Sequence, residues 1–132
     1  MTGVQTCALP ISRQSVGPIG WSGPPRPWAG STVAVAIGGR FGVPEEGVGG
    51  VVLNVTATGG SAPGYFTVFP CGYPQPPTSN LNVLRAGQTV PVAVAVGLGV
   101  SGKVCIYSQS ETDLVVDLAT WFPAHPNPPP QT

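Results

Sequence analysis

The sequence is a succession of short runs rich in β-branched and aromatic residues, each bounded by glycine, proline, serine or asparagine. Runs of this kind form strands, and the residues between them form turns. No segment shows the 3.6-residue repeat of an amphipathic helix. Strands are predicted at residues 31–37, 51–58, 65–69, 80–84, 89–96, 103–108 and 113–122. This spacing predicts an all-β fold, an antiparallel β-sandwich of about seven to eight strands, with a small β-barrel as the alternative.

Alternation within the runs indicates which side chains face the core. In the run at 51–58, Val51, Leu53 and Val55 are two residues apart and share one face of the strand. The residues between them are predicted to lie on the opposite face.

Composition excludes several classes of function. Charged residues make up 8% of the chain and the formal net charge is zero, so no long-range field would attract nucleic acid or an anionic membrane. Apolar residues make up 42%, which excludes disorder driven by charge. No apolar run approaches the roughly 20 residues that span a bilayer. We therefore expect no nucleic-acid partner and no membrane insertion.

The two ends of the chain differ from its middle. Residues 1–12 (MTGVQTCALPIS) resemble the translation of a sequencing adapter and are expected to be an artefact. On this interpretation the natural protein begins near Arg13, and residues 13–123 form the β-sandwich module without its first strand. Residues 124–132 are rich in proline and predict a semi-rigid linker.

The chain has three cysteines, of which Cys7 lies in the adapter-like segment. The other two, Cys71 and Cys105, are interpreted as one disulfide, which indicates an oxidising, extracytoplasmic setting. Two buried thiols that never meet are the alternative. A disulfide closing a loop of this length would stabilise the fold by roughly 3–4 kcal/mol on the chain-entropy model.

An ordered set of motifs extends over residues 42–123. VVLNVTAT, GYFTVFPCG, SNLNV, AGQTVP, GKVCIYS and DLVVDLATWFP follow one another in this order. The set resembles an accessory module of secreted actinobacterial proteins, found beside hydrolases, peptidases and other extracellular domains. In such modules the cysteines of the PCG and KVC segments pair, which implies the same for Cys71 and Cys105.

This resemblance implies where the protein acts and which domains accompany it, and it implies no reaction mechanism. It implies a non-catalytic accessory module at the cell surface or outside the cell, acting in surface attachment or in binding cell-wall glycan or other polysaccharide. A neighbouring catalytic domain of the parent chain is an expected partner. The alternative is a structural spacer or protein-interaction domain beside a secreted hydrolase. The chain departs from the pattern where an opening Arg-x-x-Asp-Thr-Arg is expected, and Ala119-Thr120 stands where glycine commonly precedes the tryptophan.

The sequence offers little for catalysis. The only histidine, His125, lies in the proline-rich tail, so a triad has no base within the strands. Asp113 and Asp117 would be about 13 Å apart on one strand, too far for a glycosidase pair. We expect no catalytic residue, no cofactor and no metal, with calcium at Glu111 and Asp113 as the alternative to a solvated turn.

Three asparagines fall in predicted strands, where asparagine is disfavoured: Asn54, Asn80 and Asn82. Asn80 and Asn82 are predicted to share a face. Their amides suit the hydroxyl groups of a sugar. The alternative is structural, with the amides bonded to neighbouring loop backbone.

Aromatic residues on the loops complete the candidate site. Trp21, Trp28 and Tyr73 lie on segments rich in proline and glycine, where aromatic rings serve for stacking on carbohydrate. The alternative is that they cover the open ends of the sandwich. Trp121 and Phe122 are predicted to anchor the last strand in the core. The candidate ligand-binding residues are Trp28, Tyr73, Asn80, Asn82 and Trp21.

Overall fold

The computed structural model describes residues 8–10 and 28–124. The predictions for Cys7, Trp21 and His125 lie outside these residues, as do those for most of the adapter-like segment and most of the proline-rich tail. The eight strands described are β1 (Ala8–Pro10), β2 (Ser31–Ala36), β3 (Val48–Thr58), β4 (Gly64–Pro70), β5 (Leu81–Val83), β6 (Val90–Val96), β7 (Lys103–Ser108) and β8 (Asp113–Pro123). The described ranges contain no α-helix, only a 3₁₀ turn at Val100–Gly102.

The strands form two antiparallel sheets packed face to face. Sheet A has the order β1-β8-β3-β6, and sheet B has the order β2-β7-β4-β5. The predicted β-sandwich is confirmed. The alternative of a small barrel is wrong, because each sheet of the described strands ends in two edge strands. β1, from the adapter-like segment, pairs with β8 at one edge of sheet A, with Ala8 opposite Asp117.

The inner faces of both sheets supply the core. Val51, Leu53 and Val55 of β3 have no exposed surface, so the alternation predicted for this strand is confirmed. Phe66 and Ile106 face them from sheet B and are also fully buried. Burial of each such side chain stabilises the fold by about 1.5–3 kcal/mol.

The end of β8 differs from the prediction. Its pairing with β3 shifts between Leu118 and Thr120, so one extra residue lies in β8 there. An inserted residue reverses the alternation of faces beyond it. Trp121 therefore packs partly against the core, whereas Phe122 lies outside and is 42% exposed. The prediction that both residues anchor the strand in the core is wrong for Phe122.

A disulfide joins Cys71 to Cys105 within sheet B, with their Cα atoms 5.0 Å apart. Cys105 lies in β7, and Cys71 directly follows β4. The predicted pairing is confirmed, and the alternative of two separate thiols is wrong. The bond closes a loop across 34 residues of sequence.

The same end of sheet B is closely packed by backbone. The amide N–H of Val100 donates to the carbonyl oxygen of Cys71 at 2.9 Å, and the N–H of Cys71 donates to Lys103 at 3.2 Å. A Cβ atom on Gly99 would collide with the backbone of Cys71, so only glycine fits there. This contact fixes the start of the loop from β4 to β5.

No helix in the described part of the chain is long and apolar enough to cross a membrane.

Candidate ligand-binding site

The outer face of sheet B carries two tyrosines. Phe66 and Val68 of β4 are buried in the core, so the strand alternation turns Tyr65 outwards. The rings of Tyr65 and Tyr107 are 5.8 Å apart at their centroids and tilted by 44°. Tilted aromatic pairs at this separation attract one another, which holds the Tyr65 ring in place. Asn82 of β5 pairs with Tyr65 in register and shares its outer face.

The loop at 71–80, which connects β4 to β5, is attached beside this face by three hydrogen bonds. The hydroxyl of Thr67 donates to the carbonyl oxygen of Thr78 at 2.7 Å. The Oδ1 atom of Asn80 accepts from the N–H of Val68 at 2.7 Å. The N–H of Asn80 donates to the carbonyl oxygen of Phe66 at 2.8 Å. With the disulfide at its start, the loop is fixed at both ends.

A cleft of about 430 Å³ lies between the Tyr65 ring and this loop. Its size is within the range of about 300–1,000 Å³ that is usual for small-molecule sites. We refer to it as the Tyr65 cleft. It is lined by Tyr65, Gln75, Pro76, Pro77, Thr78, Ser79 and Asn82.

The lining of the Tyr65 cleft suits a neutral polar ligand. It holds one aromatic ring, two side-chain amides and two aliphatic hydroxyl groups, and none of its residues is acidic or basic. Amides and hydroxyls each provide both donors and acceptors of hydrogen bonds. An aromatic ring beside such groups can bind the apolar face of a molecule whose edge carries hydroxyls. This is the chemistry of a sugar ring.

A second cleft, of about 640 Å³, lies beside Trp28 at the end of sheet B where β4 begins. The carbonyl oxygen of Trp28 accepts from the hydroxyl of Ser31 at 2.6 Å, and the N–H of Gly30 donates to Ser108 at 2.8 Å. These bonds attach the Trp28 segment to the start of β2 and the end of β7. We refer to this as the Trp28 cleft. It is lined by Trp28, Ala29, Ser61, Ala62, Pro63, Gln109, Ser110 and Glu111.

The predicted asparagines have different environments. Asn82 is exposed and lines the Tyr65 cleft. Asn80 precedes β5 instead of lying within it, and its Oδ1 atom is bonded to the backbone of Val68. This is the contact that the structural interpretation of Asn80 predicts. Asn54 lies on the exposed outer face of sheet A, away from both clefts.

Of the predicted aromatics, Trp28 and Tyr73 lie apart. Trp28 is 49% exposed and Tyr73 is 62% exposed. Trp28 lies near the start of β4, whereas the N–H of Tyr73 donates to Pro70 at its end. At about 3.3 Å per residue, the two ends of this strand are roughly 20 Å apart. Tyr73 lines neither of the two clefts, and Trp21 lies outside the described residues.

Sequence reasoning missed Tyr65. The run at 65–69 predicts a strand and does not by itself indicate a binding residue. The signal was present, because a buried Phe66 and Val68 require Tyr65 and Thr67 to face the other way. What the sequence did not show is that the loop before β5 lies beside the same face.

The described carboxylates lie in several places, with Glu45 and Glu46 together in a third cleft beside Ser101. Asp117 lies opposite Asn54 in sheet A, and Asp113 lies at the start of β8. Glu111 lines the Trp28 cleft. In residues 28–124, where side chains are described, no group of three or more histidine, cysteine, aspartate or glutamate residues could hold a metal ion.

Comparison with protein-family models, with curated proteins and with solved structures gives no match. The resemblance to an actinobacterial accessory module therefore stays a prediction from the ordered motifs. The function has to be argued from the two clefts and the chemistry of their residues.

Proposed function

We propose that this chain is a non-catalytic accessory module that binds neutral polysaccharide outside the cell. The observation that carries the proposal is the Tyr65 cleft, in which an aromatic ring, two amides and two aliphatic hydroxyls meet without any charged side chain. Neutral hydroxyl-rich ligands are recognised by this combination, whereas phosphates and nucleic acids require basic groups. The ordered motifs of residues 42–123 and their resemblance to secreted modules support the same function.

An extracellular or cell-surface location is part of the proposal. The disulfide between Cys71 and Cys105 supports it, since disulfides persist in oxidising compartments and stabilise small secreted domains. We infer a parent protein in which a neighbouring catalytic domain acts on the polysaccharide that this module binds. An actinobacterial source is inferred from the motif resemblance alone.

The absence of catalysis is also inferred from the clefts. Their linings include one carboxylate, Glu111, and no histidine or cysteine. Glycoside hydrolysis generally uses a pair of carboxylates, and acyl transfer uses a nucleophile with an adjacent base. Neither arrangement is available among the residues that line these two clefts.

A protein-interaction or spacer role is the second candidate, and the outer face of sheet A favours it. Pro91, Ala93 and Ala95 of the edge strand β6 are exposed and short. An edge strand also offers backbone groups to a partner strand. This alternative predicts a bound protein at β6 and no affinity for sugars.

Binding to polysaccharides distinguishes the two functions. Affinity electrophoresis would use soluble β-glucan, xylan and glucomannan, and sedimentation would use cellulose, chitin and peptidoglycan. At least one polymer is expected to retain the wild-type protein. Tyr65→Ala and Asn82→Ala are expected to lower its affinity, by about tenfold for the loss of an aromatic contact or a hydrogen bond.

Two matched controls lie outside the Tyr65 cleft. Tyr73→Ala removes an exposed tyrosine from the neighbouring turn, and Asn54→Ala removes an exposed asparagine from sheet A. Both variants should bind as the wild type does. If no polymer binds the wild type, or if Asn54→Ala weakens binding as much as Asn82→Ala, the proposed function is wrong.

A further inference from the structure

The Tyr65 cleft and the Trp28 cleft are neighbours, and one pair of residues joins them. Tyr65 lines the first cleft and Gln109 lines the second. The N–H of Gln109 donates to the carbonyl oxygen of Tyr65 at 3.0 Å. In return, the N–H of Tyr65 donates to the Oε1 atom of Gln109 at 3.2 Å. The two clefts therefore meet where β4 begins and β7 ends.

The joining residue is itself suited to a ligand. Gln109 is exposed, and its Oε1 atom already accepts from Tyr65. Its NH₂ group is therefore the part that can donate to a bound hydroxyl. Asn82 and Gln109 flank Tyr65, because β5 and the end of β7 lie on opposite sides of β4.

The Trp28 cleft repeats the chemistry of the Tyr65 cleft. It combines an aromatic ring that is 49% exposed with the amide of Gln109 and the hydroxyl of the exposed Ser61, whereas the buried Ser110 hydroxyl donates to the carbonyl oxygen of Ala62 at 3.2 Å. Glu111 adds a carboxylate, whose oxygens accept hydrogen bonds from hydroxyl groups. Each cleft has the volume of a small-molecule site, about 640 Å³ here and about 430 Å³ beside Tyr65. Together they offer more room than a disaccharide requires.

We propose that the two clefts form one extended site, which a single linear neutral oligosaccharide occupies from Asn82 past Tyr65 and Gln109 to Trp28. This inference rests on the proposed function and deepens it, since it assigns the ligand class as a chain of several sugar units. Tyr65 and Trp28 each stack on one sugar ring, and Gln109 bonds to the chain between them. The site is specific for chain length because short ligands reach only one of the two rings.

The test measures affinity against ligand length. Isothermal titration calorimetry would use cello-, xylo-, manno- and chito-oligosaccharides, each as the disaccharide and the hexasaccharide. For the series that binds, the hexasaccharide is expected to bind about tenfold or more tightly than the disaccharide. Trp28→Ala is expected to remove this gain. Tyr65→Ala is expected to weaken binding of both lengths.

A second variant distinguishes a loss of binding from a folding defect caused by Trp28→Ala. Ser61 is exposed in the lining of the Trp28 cleft, and Ser61→Arg fills the cleft without removing a core contact. It should reproduce the effect of Trp28→Ala, with the thermal midpoint of each variant confirming the fold. If both variants bind the hexasaccharide as the wild type does while Tyr65→Ala does not, the extended site is wrong and the Tyr65 cleft stands. If no oligosaccharide or polymer binds the wild type, both proposals are wrong.

Discussion

The outer faces of the two sheets differ, although their inner faces are alike. Inside, both sheets present fully buried aliphatic and aromatic side chains such as Leu53 and Phe66. Outside, the central strand β3 of sheet A carries Val52, Asn54 and Thr56, with Asp117 of β8 opposite Asn54 and the Phe122 ring near the end of β8. The outer face of sheet B has the Tyr65 and Tyr107 rings, Asn82 and an attached loop.

This difference shows where the information about function lies in a chain of this kind. Inward positions are constrained by packing and are interchangeable between the sheets, because any aliphatic residue of suitable volume serves there. Outward positions that solvent reaches are free of that constraint, whereas the outward Thr67 and Phe69 of β4 are buried. The aromatic and amide residues on the outer face of sheet B therefore indicate a ligand more strongly than any property of the core.

The largest expected effect concerns the disulfide between Cys71 and Cys105 in sheet B. In a Cys7→Ser background, the double variant Cys71→Ala/Cys105→Ala is expected to lower the free energy of unfolding by about 3–4 kcal/mol, because the unfolded chain regains its loop entropy. For a domain of this size that corresponds to a fall of roughly 15–25 °C in the thermal midpoint. Denaturant unfolding measures the free energy of unfolding and thermal unfolding measures the midpoint, both followed by circular dichroism. An unchanged midpoint, in the variant or in the reduced parent, would show that the disulfide contributes nothing.

The next effect separates the hydrogen-bonded Asn80 from the exposed Asn54. Asn80→Ala leaves the N–H of Val68 without its acceptor, which is expected to cost about 1–3 kcal/mol of unfolding free energy. Asn54→Ala in sheet A is expected to change it by less than about 0.5 kcal/mol, since its side chain is exposed. Asn80→Asp keeps an acceptor oxygen and should recover part of the loss. Equal effects of the two alanine variants would overturn the structural role of Asn80.

A comparable effect is expected at the crossing from sheet A to sheet B. Gly97 follows β6, and a Cβ there would approach nothing nearer than the Gly49 carbonyl oxygen at 3.9 Å. A Cβ on Gly99 would overlap the backbone of Cys71. Gly99→Ala is therefore expected to destabilise the protein by about 1–3 kcal/mol, as overpacking does, and Gly97→Ala to be nearly neutral. Thermal unfolding of the pair measures the difference, and similar midpoints would contradict the close contact at Cys71.

The smallest effect concerns the support of Tyr65. Tyr107→Ala removes the ring that packs against Tyr65, and the expected loss of affinity for the bound oligosaccharide is about threefold to tenfold. Tyr107→Phe keeps the ring and should retain the wild-type affinity. Calorimetric titration measures both variants. A loss in Tyr107→Phe equal to that in Tyr107→Ala would mean that the hydroxyl group, and not the ring pair, matters.

Much of the fold follows from the sequence because strand alternation and turn residues are local signals. The run at 103–108 coincides with β7, and the burial of Val51, Leu53 and Val55 follows their spacing. The exposure of Phe122 did not follow, because an extra residue in β8 reverses the faces beyond it. Such a bulge depends on the pairing with the partner strand, so the residues of β8 alone do not predict it.

Less of the candidate site follows from the sequence. Asn82 was predicted from its unusual position in a strand, and it lines the Tyr65 cleft. Tyr73 was predicted from its loop, but it lies in a turn outside both clefts. Tyr65, Gln109 and Trp28 lie near one another because segments that are distant in the sequence pair in the folded protein. Only the folded sheet brings these residues together.

The central claim is that the outer face of sheet B binds a neutral glycan and that of sheet A does not. The most direct measurement is a titration of the ¹⁵N-labelled protein with the polysaccharide fragment that binds, followed by backbone amide chemical shifts. We predict that the shifts that change cluster at Tyr65, Thr78, Asn82 and Gln109, while those of Asn54 and Ala93 stay constant. Changes centred on Asn54 and Ala93, or no change at any amide at saturating glycan, would contradict the account.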